Sequence, residues 1–418
     1  MKSKAAQEVM VAAEEIDVHR DTDQVDHRPA LDIVAGHPLD HDWLRALSHA
    51  RYILVPLLVF SALLNLAVYL TYVVGVFGHN DFRLYYAGAE VGLRYGWAHI
   101  YDVQLHQAAV AALRPVGPWY ALLTPAPITW VVAPLTLIGY PAAYWAWVAL
   151  SLALLGAAAL YARPRQHQAT VYFIWWAALS PLWFSAYEGQ VTILAAAAVL
   201  AGWRLLETRR EFLSGAIFAV AFFKPHLILL LPLALLVSGR WRALLSFSIV
   251  ALVVGIGMLL TLHPDGIQSY LATLIAPQPA GDTAKTLRSA LGGSPAVFVI
   301  QAVVVIGVIA VAVNARRTRV VWPAIVAAIL GSFLLATYWH PQDYLVLDAA
   351  AAIVLAAAPF RVGILVATAV ALVSAPVSPL SGHQMTGAWL LFAMGLLVLL
   401  AVRTRTRRTV PRLAVLDA

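Results

Sequence analysis

The chain is a succession of long apolar runs separated by short polar segments. A spanning helix needs about 20 apolar residues, and runs of that order recur along almost the whole chain. The pattern predicts about a dozen transmembrane helices. The predicted spans are 52–77, 140–161, 170–187, 191–206, 212–237 as two short helices, 243–262, 295–313, 320–338 and 344–358, with two more before the C-terminus.

Composition agrees with the pattern and excludes a soluble fold. Hydrophobic residues make up 61% of the chain and charged residues 12%, against roughly 25% charged in an ordinary soluble domain. The net charge of +7 comes largely from short arginine clusters between apolar runs, which favours a role in membrane topology over binding of nucleic acid. The absence of cysteine excludes disulfides, thiolate metal sites and a cysteine nucleophile.

The arginine clusters predict the orientation, because basic loops favour the cytoplasm. They place the N-terminus and the basic C-terminal tail inside, and they predict a multi-pass protein of the cell (inner) membrane. Residues 1–47 are polar and lack the apolar core of a signal peptide, so they are expected to form a disordered cytoplasmic tail. The membrane domain is predicted at 48–403 and the basic tail at 404–418.

Three segments depart from simple spans. Residues 81–139 are amphipathic and interrupted by proline, which predicts a long outer loop lying on the membrane surface. Lys224-Pro225-His226 interrupts the run 212–237, and proline breaks helices, so two short helices are expected to meet there. Residues 263–294 are predicted to form a polar outer loop.

This topology places sparse ionisable side chains on the outer face. Charges near hydrocarbon are costly and are functional candidates by default. Each has a structural alternative: Asp81 as a helix cap, Lys224 as a snorkelling or paired lysine, His340 as an interfacial hydrogen-bonding group, and Tyr85 as part of an aromatic belt. The whole set is Asp81, Arg83, Glu188 with Gln190, Lys224, His226, His263, Asp265, Asp282, and His340 with Asp343.

Several short motifs recur in a defined order relative to the predicted spans. These are NDFRLYYAGAE, IYD, TPAPITWVVAPLTLIG, YEGQ, GAIFAVAFFKPH and YWHPQDY. Their order over most of residues 50–402 resembles glycosyltransferase family 87, membrane mannosyltransferases of the GT-C class that use polyprenyl-phosphomannose and form α-1,2 linkages. The resemblance implies an all-α GT-C-type fold with about 12 transmembrane helices and a long amphipathic first outer loop.

The resemblance also implies roles for individual residues. The acid that opens the first outer loop matches Asp81, which becomes the general base for the acceptor hydroxyl. The family's Gly-Gln, Lys-Pro and late histidine elements match Gly189-Gln190, Lys224-Pro225 and His340. The candidate groups for the donor phosphate are Lys224, His340 and Arg83, and those for sugar and acceptor are Glu188, Gln190, Tyr85 and His226.

The implied reaction moves a hexose, mannose by resemblance, from a polyprenyl-phosphate sugar to a hydroxyl of a lipid or glycan acceptor, with inversion. Asp-Phe stands at residues 81–82, where many GT-C enzymes carry two acids, so neither a metal nor another cofactor is expected.

Two other functional classes remain open from the residues alone. A secondary transporter has a similar number of spans, although such proteins usually show related halves. A lipid-linked glycan ligase or flippase shares the lipid substrate, and Asp282, Lys285 and Arg288 suit its late outer loop. A purely structural membrane protein is disfavoured by Lys224 inside apolar sequence.

Overall fold

The structure of the protein is a computed structural model that describes residues 39–76, 80–113, 119–164, 169–276, 286–374, 393, 395, 396 and 400. The described residues are helical and contain no strand. The chain divides into two compact units, Met1–Leu54 and Val55–Ala418. The described part of the first unit is helical, and the candidate site lies entirely within the second. Most of the predicted N-terminal tail, the basic tail 404–418, Asp282 and Lys285 lie outside the described residues.

The helices follow one another in the order that the apolar runs indicate. They are α1 (Leu39–Val76), α2 (Phe82–Tyr95), α3 (Val103–Ala112), α4 (Pro127–Val132), α5 (Tyr140–Ala162), α6 (Ala169–Ala178), α7 (Ser180–Glu188), α8 (Thr192–Glu207), α9 (Glu211–Ala219), α10 (Leu231–Val237), α11 (Trp241–Ile275), α12 (Leu287–Ala290), α13 (Ala296–Thr318), α14 (Trp322–Leu335), α15 (Tyr344–Ala357) and α16 (Phe360–Ser374). Short 3₁₀ turns occupy Trp97–His99, Ala133–Ile138, Val220–Phe223, Pro225–Ile228 and Pro341–Asp343.

Four helices within the described residues are long and apolar enough to cross a membrane. Their apolar parts are Tyr52–Val74, Tyr140–Ala162, Trp241–Ile275 and Ala296–Thr318. Several shorter apolar helices accompany them, and the total of about twelve spans stays a prediction. α1 begins at Leu39, inside the segment that the sequence assigns to the N-terminal tail.

The predicted span 170–187 is two helices, α6 and α7, that meet at Leu179. Pro181 stands in the first turn of α7 and has no N–H with which to continue the ladder of α6. The carbonyl of Ala178 that this break frees accepts hydrogen bonds from Ser61 Oγ at 2.8 Å and Asn65 Nδ2 at 3.0 Å. Polar side chains of α1 therefore satisfy a backbone group that has no water partner in a bilayer.

The break predicted at Lys224 is present. α9 tightens into the 3₁₀ turn Val220–Phe223, Lys224 leaves the helical region with φ −135° and ψ 77°, and Pro225 starts the next turn. α10 then returns toward the side on which α9 began. The hairpin carries Lys224 and His226 at its tip.

The predicted loop 263–294 is wrong in its first part. α11 continues to Ile275 through a kink at His263, where φ is 54° and ψ is 176°, followed by Pro264. Beyond the kink, Gly266 approaches so closely that a Cβ there would lie 2.7 Å from the Ala98 carbonyl oxygen. This close packing on the segment after α2 explains why a polar stretch remains helical.

Within the segment 81–139, which is predicted to lie on the membrane surface, α2 packs closely against the protein, and the position of the segment relative to the membrane stays a prediction. From Phe82 to Ala89 the side chains of α2 are buried, because α4 and the turn Trp97–His99 pack against this helix. Two glycines one turn apart permit this approach. A Cβ at Gly88 would lie 2.9 Å from Thr129 Cγ2, and one at Gly92 would lie 2.3 Å from the Trp97 ring.

The core forms around α8, which packs against α5, α9 and α15. Alanine runs at 195–198 in α8 and 349–352 in α15 are buried. Small side chains of this kind let apolar helices pack closely in a bilayer. The result is a rigid bundle in which several helix ends meet on one face, including the ends of α7 and α14 and the starts of α8 and α15.

Candidate active site

A cavity of about 730 Å³ opens where these helix ends meet. Its walls come from the start of α2, the α7–α8 junction, the hairpin tip after α9, the second half of α11 and the α14–α15 link. The structure brings all eight candidate site residues from the sequence to this one cavity: Asp81, Arg83, Tyr85, Glu188, Gln190, Lys224, His226 and His340.

Asp81 is held by two residues of the α7–α8 junction. Its backbone N–H donates to Glu188 Oε2 at 2.9 Å, and its Oδ2 accepts a hydrogen bond from Gln190 Nε2. Gln190 is fixed in turn, since Tyr85 donates its hydroxyl proton to Gln190 Oε1 at 3.0 Å. Because both groups of the Gln190 amide are engaged, the carboxylate of Asp81 has a defined position at the cavity wall.

The junction that carries Glu188 and Gln190 turns at Gly189. This residue has φ +61°, a left-handed conformation that glycine adopts without a steric cost. A Cβ here would lie 2.7 Å from Phe82 Cβ, directly beside Asp81. Trp147 Nε1 donates to the Gly189 carbonyl at 2.8 Å and anchors the turn to α5.

The opposite wall contains a buried ion pair. Lys224 Nζ donates to Asp343 Oδ1 at 2.6 Å, and the side chains are 9% and 0% exposed. Thr192 Oγ1 donates to the same carboxylate oxygen at 3.1 Å. The structural alternative of a paired lysine is therefore realised, and Lys224 also lines the cavity.

Asp343 also organises two histidines. His226 Nε2 lies 3.7 Å and His340 Nδ1 lies 3.5 Å from Asp343 Oδ2, and the His340 backbone N–H donates to this oxygen at 3.1 Å. Burial by itself raises the pKa of Asp343, but the Lys224 charge and the hydrogen bonds outweigh desolvation and hold this pKa well below the usual range. Asp343 is therefore an anion that holds three basic side chains together.

Burial raises the proton affinity of both acids beside the cavity. Burial raises the pKa of Asp81, while His340, Lys224 and Arg83 favour its ionised form. Burial, together with the neighbouring Asp81 charge, raises the pKa of Glu188 well above its ordinary value. Nearby cations, among them Arg83 and His340, oppose that rise at both carboxyls.

One edge of the cavity is aromatic. Trp119 Nε1 donates to His106 Nδ1 at 3.1 Å, and His106 Nε2 in turn donates to the Leu84 carbonyl at 3.0 Å. Burial lowers the pKa of His106, which favours the neutral ring that this arrangement requires. The indole is therefore held at the cavity by α2 and α3 together.

Apolar side chains complete the walls, so the cavity has a polar region and a hydrophobic region. Polar groups gather between Asp81 and His340, and the remaining lining is largely hydrophobic, from Leu122, Leu123, Phe184, Phe223 and Leu274. Across the part of the chain that the structure describes, no group of three or more histidine, aspartate or glutamate side chains is arranged to hold a metal ion. Arg83, 1% exposed, places a permanent positive charge close to both acids.

Comparison with family models identifies the chain. The model of glycosyltransferase family 87 matches residues 123–341, just over half of the sequence. The chain belongs to glycosyltransferase family 87. It is therefore a membrane glycosyltransferase. Comparisons with curated proteins and with solved structures gave no match.

In this family 87 glycosyltransferase the matched region covers the α7–α8 junction, the hairpin tip and His340, whereas Asp81 and Arg83 precede it. Sequence reasoning overlooked several side chains of this site, among them Asp343, which pairs with Lys224, and Tyr270 and Thr273, which line the cavity. Asp343 was seen only as a neighbour of His340, although the spacing of His340 and Asp343 allows both to face one ligand or cation. Tyr270 and Thr273 were missed because the kink at His263 was interpreted as the end of α11.

Proposed function

We propose that this protein transfers mannose from a polyprenyl-phosphate carrier to a hydroxyl of a lipid or glycan acceptor, at the outer face of the cell membrane and with inversion at the sugar. The observation that carries the proposal is the arrangement of Asp81 in the cavity: a fixed carboxylate faces a group of basic side chains, and the rest of the lining is mostly apolar. Family membership supplies the reaction class.

Asp81 is the proposed general base. Gln190 holds Oδ2, so Oδ1 is the oxygen presented to an acceptor hydroxyl. A pKa raised by burial makes the carboxylate a better proton acceptor than an exposed aspartate. Glu188 accepts a hydrogen bond from the Asp81 backbone N–H and is proposed to contact a sugar hydroxyl.

The donor phosphate is assigned to Lys224, His340 and Arg83. An ammonium has three N–H donors, so the bond from Lys224 to Asp343 leaves donors for a phosphate oxygen. Charge-assisted hydrogen bonds are stronger than neutral ones, and a site with few waters strengthens them further. These cations stabilise the negative charge that gathers on the phosphate as the bond to the sugar breaks.

The remaining polar groups are assigned to sugar and acceptor. Gln190, Tyr85 and His226 line the same cavity as the two acids and Lys224, and we assign them to the hydroxyls of a bound sugar. Trp119 offers a fixed apolar ring face beside them. The apolar lining suits the first units of a polyprenyl chain.

The bonds of the reaction follow from this placement. The acceptor oxygen attacks the anomeric carbon while Asp81 takes its proton. The bond between the anomeric carbon and the phosphate oxygen breaks, and its electron pair leaves with the phosphate. The transition state resembles an oxocarbenium ion, as in inverting glycosidases, and the phosphate departs without needing a proton.

Orientation is supported by where the arginines lie. The cavity is at one set of helix ends, while Arg163, Arg209, Arg240, Arg242 and Arg316 are at the opposite ends of the same helices. Basic clusters favour the cytoplasmic side. The cavity then faces outward, where an acceptor outside the cell is accessible.

The decisive experiment measures transfer from radiolabelled polyprenyl-phosphomannose to endogenous lipid in membranes that contain the protein. We expect Asp81→Asn to lower kcat by about 10²–10⁴. Glu90→Gln removes a carboxylate from the same helix, outside the cavity, and should leave the rate unchanged. Equal rates in both variants would refute the assignment of the base. Transfer from another polyprenyl-phosphate sugar, but not from the mannose donor, would refute the sugar.

A further inference from the structure

A second cavity lies at the other end of the bundle, and glycosyl transfer does not use it. It has a volume of about 850 Å³, and we name it the arginine pocket. It forms where α8, α10 and α13 end and where α9, α11 and α14 begin. Its charged lining consists of five arginines and two glutamates: Arg209, Arg240, Arg242, Arg316, Arg319, Glu207 and Glu211. α8, with 16 residues, separates it from the candidate active site by about 24 Å.

The positive charge of the arginine pocket is only partly compensated by protein groups. Arg240 pairs with Glu211, with 2.9 Å between Nη1 and Oε1. Among the described residues, Arg209, Arg242 and Arg316 form no ion pair. Since their guanidinium groups surround one concave space, the pocket presents an excess of positive charge to anything that enters it.

The backbone reinforces the selectivity for an anion. α11 and α14 both begin at the pocket, and neither has a side-chain cap on its first N–H groups. Helix N-termini carry partial positive charge and favour anions. Arg209 and Arg319 have φ near +59°, a left-handed conformation that is strained for a non-glycine residue. The chain thus carries arginine at two turns where glycine would be less strained.

The surface next to the pocket indicates what kind of anion enters. Trp241, which lines the pocket, is 56% exposed, and Leu245, one turn further along α11, is also 56% exposed. Phe212 and Leu213, at the start of α9, are 56% and 48% exposed. These apolar side chains face the surroundings of the bundle, so a charged group in the pocket adjoins a surface suited to acyl chains.

We propose that the arginine pocket binds the phosphate headgroup of an anionic membrane lipid, whose acyl chains lie along α9 and α11. Guanidinium groups match phosphate oxygens in a two-pronged geometry, and basic pockets between transmembrane helices are suited to anionic headgroups. The alternative is that these arginines serve membrane topology alone. A role in membrane topology explains why arginines lie at this end of the bundle, but it does not explain why five of them line one cavity.

The test compares lipid binding by purified full-length protein in detergent, measured by native mass spectrometry with phosphatidylglycerol or phosphatidylcholine as the probe. We expect the protein to retain bound phosphatidylglycerol under conditions in which it loses phosphatidylcholine. Arg242→Gln and Arg316→Gln should each weaken that binding about fivefold, and the double variant should weaken it further. Arg163→Gln is the matched control, because Arg163 is exposed and lies at the same end of the bundle outside the pocket.

Two outcomes overturn the proposal. If the double variant retains phosphatidylglycerol as well as Arg163→Gln does, the arginines act in topology only. If glycerol phosphate displaces the lipid at equal concentration, the occupant is a free phosphate compound. A measurement on the unaltered protein covers the case in which a variant fails to fold. Phosphatidylglycerol with a photoreactive acyl chain should label α9 and α11 beside the pocket, and labelling confined to other helices contradicts the assignment.

Discussion

Lys224 Nζ lies 2.6 Å from Asp343 Oδ1, and this contact joins two residues that are 119 positions apart in the chain. The pair connects the hairpin tip between α9 and α10 to the start of α15. The same carboxylate lies near both His226 and His340. Asp343 therefore determines the local fold of this wall and the positions of Lys224 and His340, two of the three cations assigned to the donor phosphate.

The first prediction concerns the stability of this pair. Removing one partner of a buried ion pair leaves an uncompensated charge and costs about 3–5 kcal/mol. Asp343→Ala is therefore expected to lower the free energy of unfolding by about that amount, measured by thermal or denaturant unfolding in detergent. The double variant Lys224→Met with Asp343→Leu should cost less than the single variant, since neither charge remains buried.

The partly exposed pair of Arg94 and Glu90, with 3.5 Å between Nη2 and Oε1, supplies the control. Arg94→Gln should change the free energy of unfolding by less than about 1 kcal/mol. A double variant that loses as much as the sum of its two single variants would show that Lys224 and Asp343 do not stabilise each other.

The break at Lys224 was predictable from the sequence because a lysine followed by proline inside an apolar run leaves few alternatives. The sequence predicted only that Asp81, Gln190 and Lys224 lie on one face of the membrane. Their convergence on one cavity was not predictable. The pairing of Asp343 with Lys224 could not be predicted, because the two residues are distant in the chain and a single sequence does not indicate which distant residues are in contact.

The two errors about helices have physical causes. The break at Leu179 depends on Ser61 and Asn65, which are distant in the chain. Their side chains donate hydrogen bonds to the Ala178 carbonyl, which would otherwise be unsatisfied at a helix end inside apolar sequence. The continuation of α11 past Pro264 depends on the contact of Gly266 with Ala98. Local sequence favoured one helix in the first case and a loop in the second, and tertiary contacts reversed both.

The second prediction is a pH dependence. Asp81 acts as a base only when ionised, so activity should fall as the pH drops through its pKa. Burial raises the pKa of Asp81, which places the fall above the range of an exposed aspartate, about 3.9. The hydrogen bond from Gln190 favours the ionised form. Gln190→Leu should therefore raise the pKa further and move the acid limb of kcat/KM to higher pH.

The control for this shift is Gln104→Leu, an equivalent change at an exposed position of α3. It should leave the acid limb where it is. An acid limb that stays fixed in Gln190→Leu, while the rate falls uniformly, would mean that Gln190 supports structure without tuning Asp81.

The third prediction tests orientation. The chain contains no cysteine, so one introduced cysteine is a unique label. Ser289→Cys, exposed in α12 near the cavity end, should react with a membrane-impermeant maleimide in intact cells. Thr208→Cys, exposed at the arginine end of α8, should react only after the membrane is opened. The reverse pattern would place the cavity in the cytoplasm and remove the outer-face assignment.

The fourth prediction concerns the turn that positions Glu188 and Gln190. Gly189→Ala combines a left-handed backbone with a Cβ placed 2.7 Å from Phe82 Cβ. The backbone conformation alone costs an alanine about 1–3 kcal/mol, and relief of the clash displaces Phe82 and with it Asp81. We therefore expect a lower midpoint of thermal unfolding together with a loss of sugar transfer.

Gly156→Ala is the matched control because it makes the same change in the middle of α5, where a Cβ meets nothing within 4 Å. It should leave transfer unchanged and should stabilise the helix by up to about 1 kcal/mol, since alanine is the better helix former. If Gly189→Ala loses stability but retains the native kcat, the turn serves folding alone. The position of Asp81 would then not depend on how closely Gly189 approaches Phe82.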